Sequence, residues 1–467
     1  MSDTTELKAQ VVAVDTKALG DRSYLVHDGS VAFVVDPQRD IDRVQAVADG
    51  LGVMITHVFE THLHNDYVTG GLALARAVGA SYHVNAVDEV AFDRAGVRNG
   101  DVVEVSPAMR ARVIATPGHT FTHLSYVLES AGEQVAVFTG GSLLYGSTGR
   151  PDLLGAGHAS ELARAQYASA RRLATELPDT AAVYPTHGFG SFCSATQVKG
   201  ISSTIGWEKQ INPALTVGEE PYVSQLLASL DAYPAYYAHM GPANAAGPAG
   251  PDLSPPRPAD AAELRRRIRA GEWVVDLRNR TAFAAGHVAG TLSFALDDGI
   301  ATYLGWLIPW HTPLTLLGET PGQVAQAQRE LTRIGIDRPA ACAAGQPREW
   351  AGDGPLRSYR TARFADLAAA RQQHRQVVLV DVRLPLEWAE SHIQGAVHVP
   401  LHELPARLPG IPAGEIWVHC RSGHRASIAA SILDATGRRV VAVDDGYEHA
   451  ADAGLPLERA GHAQPAA

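Results

Sequence analysis

Apolar residues fall into short runs that break at loops carrying histidine or cysteine, and these breaks mark where chemistry can sit. Residues 53–59 (Val-Met-Ile-Thr-His-Val-Phe) read as a buried strand, and an Ala/Leu-rich helical stretch follows Gly70 and Gly71. Between them lies a polar loop, Glu60-Thr61-His62-Leu63-His64-Asn65-Asp66-Tyr67. A second apolar run, Trp417-Val418-His419, enters Cys420, and an Ala/Ile/Leu-rich helical stretch follows Arg425. Both patterns predict a strand, a tight loop and a helix, with the reactive side chains at the turn.

Cys420 is the sharpest candidate. It opens Cys420-Arg421-Ser422-Gly423-His424-Arg425, where loop N–H groups and the following helix N-terminus converge on the thiol. Arg421 and Arg425 add full positive charge, so the thiol is expected to be acidified and nucleophilic near neutral pH. The plainer reading, a buried inert cysteine, explains neither the two arginines nor Gly423. A thiolate in a cationic cradle suits taking a transferable group from an anionic donor.

The histidines form a second set. His62 and His64, at i and i+2 on a loop leaving a strand, can converge on one metal, and imidazole suits Zn, Fe or Mn. Further ligand types sit at two tight turns, Thr116-Pro117-Gly118-His119-Thr120 and Tyr184-Pro185-Thr186-His187-Gly188. Each histidine taken alone reads more commonly as a hydrogen-bonded loop residue.

Whole-chain properties narrow the class. A length of 467 residues suggests roughly three domains at about 150 residues each, and 46% apolar residues suffice for a core in each. The net charge of −11 argues against a nucleic-acid surface or an anionic membrane as partner. Three cysteines, Cys193, Cys342 and Cys420, are too few and odd for a disulfide framework. No apolar run reaches about 18 residues, and the start of the chain carries no basic, apolar leader. The expected compartment is the cytoplasm.

Composition sets the expected boundaries. A Gly/Pro/Ala-dense stretch at 241–257 and another break at 345–356 read as linkers. They leave domains at 1–240, 258–344 and 357–460, with a frayed tail at 461–467. A weak internal repeat links the last two domains. Trp273-Val274-Val275-Asp276-Leu277-Arg278, then Phe283 and Gly286-His287, parallel the segment from Val378 to Ala396.

The Cys420 loop resembles the active-site loop of rhodaneses. Val377-Val378-Leu379-Val380-Asp381-Val382-Arg383 looks like the family's strand ending in Asp-x-Arg. Glu387-Trp388 through Ser391-His392-Ile393-Gln394-Gly395-Ala396 looks like its next run, with Ser391 where Gly is usual. The resemblance implies a persulfide on Cys420, held by Arg421 and Arg425, with Ser422, Gly423, His424, Asp381 and Arg383 around the substrate. It implies a second rhodanese module at 258–344 without a thiol: Leu314-Thr315-Leu316-Leu317-Gly318-Glu319-Thr320 stands where the cysteine belongs, and Cys342 lies past that point.

Residues 8–200 resemble the metallo-β-lactamase fold, so the expected architecture is an αββα sandwich followed by two α/β rhodanese-like domains with helix-flanked parallel sheets. Two positions depart from the family pattern. Tyr67 stands at its third histidine, and Gly141, in Phe138-Thr139-Gly140-Gly141-Ser142, stands at its bridging Asp. A glyoxalase II-like thioester hydrolase with two metals is therefore disfavoured. The pairing of this fold with rhodanese domains resembles the persulfide dioxygenases, and Gly146-Ser147-Thr148-Gly149-Arg150-Pro151-Asp152 is similar to their segment placing an Arg at the thiol pocket.

That resemblance puts iron ligands on His62, His119 and the vacant Gly141. Three outcomes stay open. Iron (Fe2+) can bind with His64, Asp66 or water completing the set; His62, His64 and His119 can take zinc; or the pocket holds no metal and only binds a thiol, as a non-catalytic module. His187 is a further ligand candidate. If the vacancy at Gly141 limits iron binding, Gly141→Asp is expected to raise iron occupancy, and no change would mean that other residues already complete the site. Expected partners are small-molecule sulfur donors and thiols, and a homo-oligomer is plausible by resemblance. Cys193, near His187, reads as a buried apolar side chain within reach of the pocket. Tyr236 and Tyr237 read as packing residues that can also line an entrance.

Overall fold

The structure, a computed structural model, describes residues 9–196, 200–297, 299–373 and 377–459. The expected tail at 461–467 lies outside the described residues. The chain divides into two compact units. One is Met1–Asp252 with Leu331–Ile336, and the other is Leu253–Glu330 with Asp337–Ala467.

The first unit holds two six-stranded sheets. Strands Gln10–Thr16, Asp21–His27 and Val31–Val35 form an antiparallel meander, and Met54–Phe59, Ser81–Asn85 and Ala95–Val97 add to it in parallel. The second sheet runs from Ser203–Thr204 through Ala182–Pro185, Glu133–Gly140, Leu124–Ser130 and Met109–Ala115 to Val102–Ser106. Their inner faces meet through Tyr24, Phe33, Phe59, Tyr126 and Phe138, all buried. Each such side chain contributes about 1.5–3 kcal/mol on burial. Helices Asp42–Leu51 and Gly71–Val78 cover one outer face, and Ala159–Glu176 covers the other. This is the αββα sandwich expected from the motifs.

Register decides where the loops emerge. Val35 lies opposite Phe59, so Asp36 and Glu60 leave one sheet side by side, and Asp36 N–H donates to Phe59 C=O at 2.9 Å. In the second sheet Gly140 lies opposite Pro185, so Gly141 and His187 leave the same edge.

The second unit contains two parallel sheets. The middle one orders Leu292–Ser293, Trp273–Asp276, Leu314–Gly318 and Ala341–Ala344. The last one orders Arg360–Ala362, Arg439–Val443, Glu415–His419, Val377–Asp381 and Val397–His398. Trp417 is buried at its centre with Phe364, Leu379 and Val441. Among the described residues, no helix is long and apolar enough to cross a membrane.

Both stretches expected as linkers carry ordered structure. Helix Tyr237–Ala246 runs into the first, because the buried Asn244 side chain anchors it to the histidine loop. Helix Pro347–Ala351 lies in the second, where Trp350 packs against Leu264, Val274 and Leu317. Composition signals a break, but one buried side chain in each stretch outweighs it.

Candidate functional site

His62, His64, His119 and His187 are brought together at the sheet edge of the first unit, each at most 1% exposed. Each has one ring nitrogen held from outside. His62 Nδ1 lies 2.9 Å from Thr61 Oγ1, and His119 Nδ1 lies 2.9 Å from the Arg150 carbonyl. His64 Nε2 faces Tyr67 Oη at 2.9 Å, Asp36 Oδ1 at 3.2 Å and Glu60 Oε2 at 3.3 Å. His187 Nδ1 faces Asp21 Oδ1 at 2.9 Å and Asp66 Oδ2 at 3.1 Å. The opposite nitrogens turn inward: His62 Nε2 and His187 Nε2 stand 3.4 Å apart, and among the described residues His64 Nδ1 and His119 Nε2 have no hydrogen-bond partner. A carbonyl facing His119 Nδ1 forces the proton onto that nitrogen and leaves the Nε2 lone pair free. Outer partners that fix the tautomer in this way are what metal-ligating histidines require.

Charge follows the same division. Burial disfavours the His119 cation, the neighbouring His187 adds to this, and its pKa falls to about 3. His62 is likewise held well below the usual range by burial and by His64. Burial also opposes the His64 cation, but Asp36 and Glu60 outweigh it and push His64 up to about 9. Burial alone would raise Asp36; the His64 charge and hydrogen bonds from His64, Thr186 and Thr61 hold it below the carboxylate range.

Among the described residues, four clusters of possible metal ligands have donor atoms within 4.8 Å of one another: His62, His64 and His187; His119, His187 and Cys193; Asp21, Asp66 and His187; Asp36, Glu60 and His64. His187 therefore joins three of them. The trio of His62, His64 and His119 expected for zinc is not one of these groups. His62 and His119 aim neutral imidazoles inward, whereas Asp66 and Asp21 hold the His187 pKa well above its ordinary value, as Asp36 and Glu60 do for His64; the donor set fits a metal that displaces those protons.

Tyr67, at the family's third histidine position, is buried and serves as an outer partner of His64. Gly141 N–H donates to His123 Nε2 at 3.1 Å. A Cβ at Gly141 would lie 2.3 Å from His119 Cδ2, so Gly141→Asp requires the His119 ring to shift.

Arg150 lies near the pocket with its charge engaged internally. Its guanidinium pairs with Asp152 at 2.7 and 2.8 Å, donates to the Asp231 carbonyl at 2.7 Å, and stacks over Tyr233. Its backbone N–H donates to the Cys193 carbonyl at 2.8 Å. Cys193 is fully buried; burial, then Asp66 and Asp21, push its thiol up. Tyr236 and Tyr237 are buried in the same region.

Asp21, Asp36, Glu60, His123 and Asn244 belong to the pocket as well, and none of them stands out in the sequence. Asn244 Nδ2 donates to the His64 and Tyr67 carbonyls at 2.8 and 2.9 Å, and its Oδ1 accepts from Thr69 N–H at 2.9 Å, clamping the histidine loop. The acids at the ends of two strands, Val35-Asp36 and Phe59-Glu60, are the available signal.

In the second unit, strand Glu415–His419 delivers Cys420 to the N-terminus of helix His424–Ala435. The thiol is 1% exposed, and Ala426 N–H donates to Sγ at 3.4 Å. Arg425 grips Glu387 through both terminal nitrogens, at 2.5 and 2.8 Å, so part of its charge is taken up there. Arg421 and Ser422 are exposed at the loop mouth. His424 Nδ1 faces Asp297 Oδ2 at 3.1 Å, and its ring packs near Tyr303. Gly423 has φ +90°, and a Cβ there would lie 2.2 Å from Asp444 Oδ1.

Asp381 and Arg383 are not at that mouth. They pair with each other at 2.6 Å, buried, and Arg383 also donates to the Ser391 carbonyl at 2.6 Å. Both side chains are thus engaged within the fold. The same pair recurs as Asp276 and Arg278, also 2.6 Å apart, in the middle sheet. Cys342 lies on strand Ala341–Ala344 with Sγ 3.4 Å from the Pro256 carbonyl.

Comparison with known proteins agrees with both folds. Residues 19–187 match the metallo-beta-lactamase superfamily model, and residues 364–453 match the rhodanese-like domain model. A hydroxyacylglutathione hydrolase of Cupriavidus taiwanensis is 30% identical over 217 residues, covering 44% of this chain and 77% of that protein. The mitochondrial persulfide dioxygenase of Homo sapiens is 28% identical over 211 residues, covering 44% and 74%. A crystal structure of a metallo-beta-lactamase from Staphylococcus aureus subsp. aureus COL aligns with a TM-score of 0.65 at 28% identity, covering 73% of this chain and 100% of that one. Among the curated relatives, the matched stretch spans from 42% to 77% of their own length.

Proposed function

The chain belongs to the metallo-beta-lactamase superfamily and carries a rhodanese-like domain in its C-terminal part, and on that premise we propose that it is a sulfur-metabolism enzyme transferring sulfane sulfur through Cys420. The observation that carries this reading is the thiol at a strand–helix junction, with the Ala426 N–H on its sulfur and Arg425 held alongside by Glu387. The helix N-terminus and the loop turn backbone N–H groups toward the place where a transferred sulfur would sit.

The chemistry is two displacements. The Cys420 thiolate attacks the outer sulfur of a donor such as thiosulfate; the donor S–S bond breaks and sulfite leaves. An acceptor thiolate or cyanide then takes the outer sulfur from the Cys420 persulfide, and the Cys420 thiolate returns. Arg421, exposed at the mouth, draws the anionic donor. Conversion of thiosulfate and cyanide to thiocyanate should disappear in Cys420→Ser; full activity in that variant would refute the reading.

The N-terminal domain, in the same reading, takes a low-molecular-weight persulfide and is where dioxygen oxidises it. The inward-facing histidines and the likeness to a persulfide dioxygenase support this assignment. A transition metal held by His62, His64, His119 or His187 would supply an electron-pair acceptor for a bound thiolate. The chain itself contributes the neutral imidazoles of His62 and His119, the Asp36, Glu60, Asp21 and Asp66 carboxylates behind His64 and His187, and a buried enclosure. Thioester hydrolysis through a shared carboxylate is opposed by Gly141, where a side chain would collide with His119. Persulfide-dependent oxygen uptake should survive Cys420→Ser and vanish in His119→Ala; no uptake by the wild-type chain leaves this domain as a binding module.

A further inference from the structure

The carboxylate that Gly141 cannot offer leaves His119 without its usual neighbour, yet His119 Nε2 is fully buried, lacks a partner and faces inward. The side chain that comes to it is Cys193, whose Sγ lies within 4.8 Å of donor atoms of both His119 and His187. We propose that Cys193 is a thiolate metal ligand which, with His119 and His187, forms a sulfur–nitrogen site in place of the missing bridging acid. Metal binding at this site is independent of which reaction the domain carries out.

Three observations beyond proximity support it. First, Arg150 holds both ligands on one backbone segment: its carbonyl accepts the His119 Nδ1 proton at 2.9 Å, and its N–H donates to the Cys193 carbonyl at 2.8 Å. The cysteine and the histidine cannot drift apart without breaking that bridge. Second, both imidazoles are oriented by outer acceptors, His119 by the Arg150 carbonyl and His187 by Asp21, which leaves the other ring nitrogen of each as donor. Third, the Cys193 backbone N–H donates to Ser191 Oγ at 3.2 Å, which fixes the turn that presents the thiol.

Ligand chemistry then names the class of ion. Two imidazoles and a thiolate suit zinc or another borderline divalent ion in tetrahedral geometry, with metal–sulfur and metal–nitrogen bonds of about 2.3 and 2.0–2.1 Å. Such bonds place donor atoms roughly 3.3–3.8 Å apart, so donors now within 4.8 Å reach the ion by rotamer-scale shifts. Asp66, which clusters with His187 and whose Oδ1 has no hydrogen-bond partner among the described residues, is the candidate for a fourth oxygen. Binding converts the buried thiol to thiolate, and each proton displaced from the ligands is released to solvent.

The test uses the full chain carrying Cys342→Ser and Cys420→Ser, so that Cys193 is the remaining thiol, stripped with chelator and titrated with cobalt(II) alone. The expected result is a near-ultraviolet thiolate-to-cobalt charge-transfer band saturating at one ion per chain. Adding Cys193→Ser should remove the band and weaken cobalt binding about 10- to 100-fold. Cobalt bound without that band, a band unchanged by Cys193→Ser, or no cobalt binding would overturn the inference. If Cys193→Ser fails to fold, X-ray absorption of the zinc-loaded parent decides. A sulfur scatterer at about 2.3 Å supports the site, and a shell of nitrogen and oxygen alone refutes it. Thiocyanate formation is measured on the chain with Cys420 intact, so either outcome here leaves the sulfurtransferase reading to its own assay.

Discussion

The two sheets of the second unit carry the same frame and end in different loops. Strand Trp273–Asp276 ends in Asp276, which Arg278 clasps while also donating to the Gly286 carbonyl; Val377–Asp381 ends in Asp381, clasped by Arg383, which donates to the Ser391 carbonyl. Four residues after Phe283, His287 stacks on its ring at 3.9 Å; four after Trp388, His392 does the same at 3.8 Å. Only past the central strand do they diverge. Glu415–His419 opens into the Cys420 loop, whereas Leu314–Gly318 passes through Glu319 and Thr320 into helix Pro321–Thr332 with no thiol. The buried acid–arginine pair is therefore a device of the fold, kept where the loop chemistry is absent, and transfer should depend on the loop alone.

The largest effect expected from this comparison is on activity. Cys420→Ser should abolish sulfur transfer, while Cys342→Ser in the middle module should leave the rate within about twofold of wild type; a thiocyanate assay on both separates loop from frame.

Next comes the frame. Removing one partner of a buried ion pair costs about 3–5 kcal/mol, and Asp381→Asn should lie in that range by chemical denaturation. Asp276→Asn should cost less. Burial raises the Asp276 carboxyl above its ordinary value of 3.8 despite Arg278, whereas at Asp381 the added nearness of His419 turns burial's upward push into a net lowering. Equal losses would mean that His419 does not distinguish the two frames.

A smaller effect belongs to the loop backbone. Gly423 sits at φ +90°, and a Cβ there meets Asp444, so Gly423→Ala should cost about 1–3 kcal/mol and slow transfer at least about tenfold.

The smallest is a pH effect with opposite signs. Asp381, held low, adds stability above pH 3.8 that fades as pH falls through its lower folded value; Asp276, held high, costs stability when ionised, and this is relieved as pH falls. The stability gap to wild type, measured by chemical denaturation across the acidic range, should narrow on acidification for Asp381→Asn and widen for Asp276→Asn.

What can be read from sequence is local. The His62–Asp66 loop, the His119 turn and the Cys420 loop each lie within a few residues of a strand, so periodicity and spacing expose them. Asp36, Glu60 and Asn244 serve the same pocket through contacts that reach from a few residues to nearly two hundred along the chain, and no short window joins them. The stretch at 241–257 misleads for the same reason: its Gly, Pro and Ala say linker, but the buried amide of Asn244 binds the histidine loop. Gly141 reads as a missing ligand, yet only the fold shows His119 filling the space beside it. Cys193 reads as a small apolar residue because its approach to His119 depends on the Arg150 segment crossing it.

The most direct test of transfer through Cys420 is peptide mass spectrometry after incubating the full chain with thiosulfate and trapping thiols at once. The predicted result is a one-sulfur mass increment on the Cys420 peptide and none on the peptides of Cys193 or Cys342. An unmodified Cys420, or an increment on either of the others instead, would contradict it.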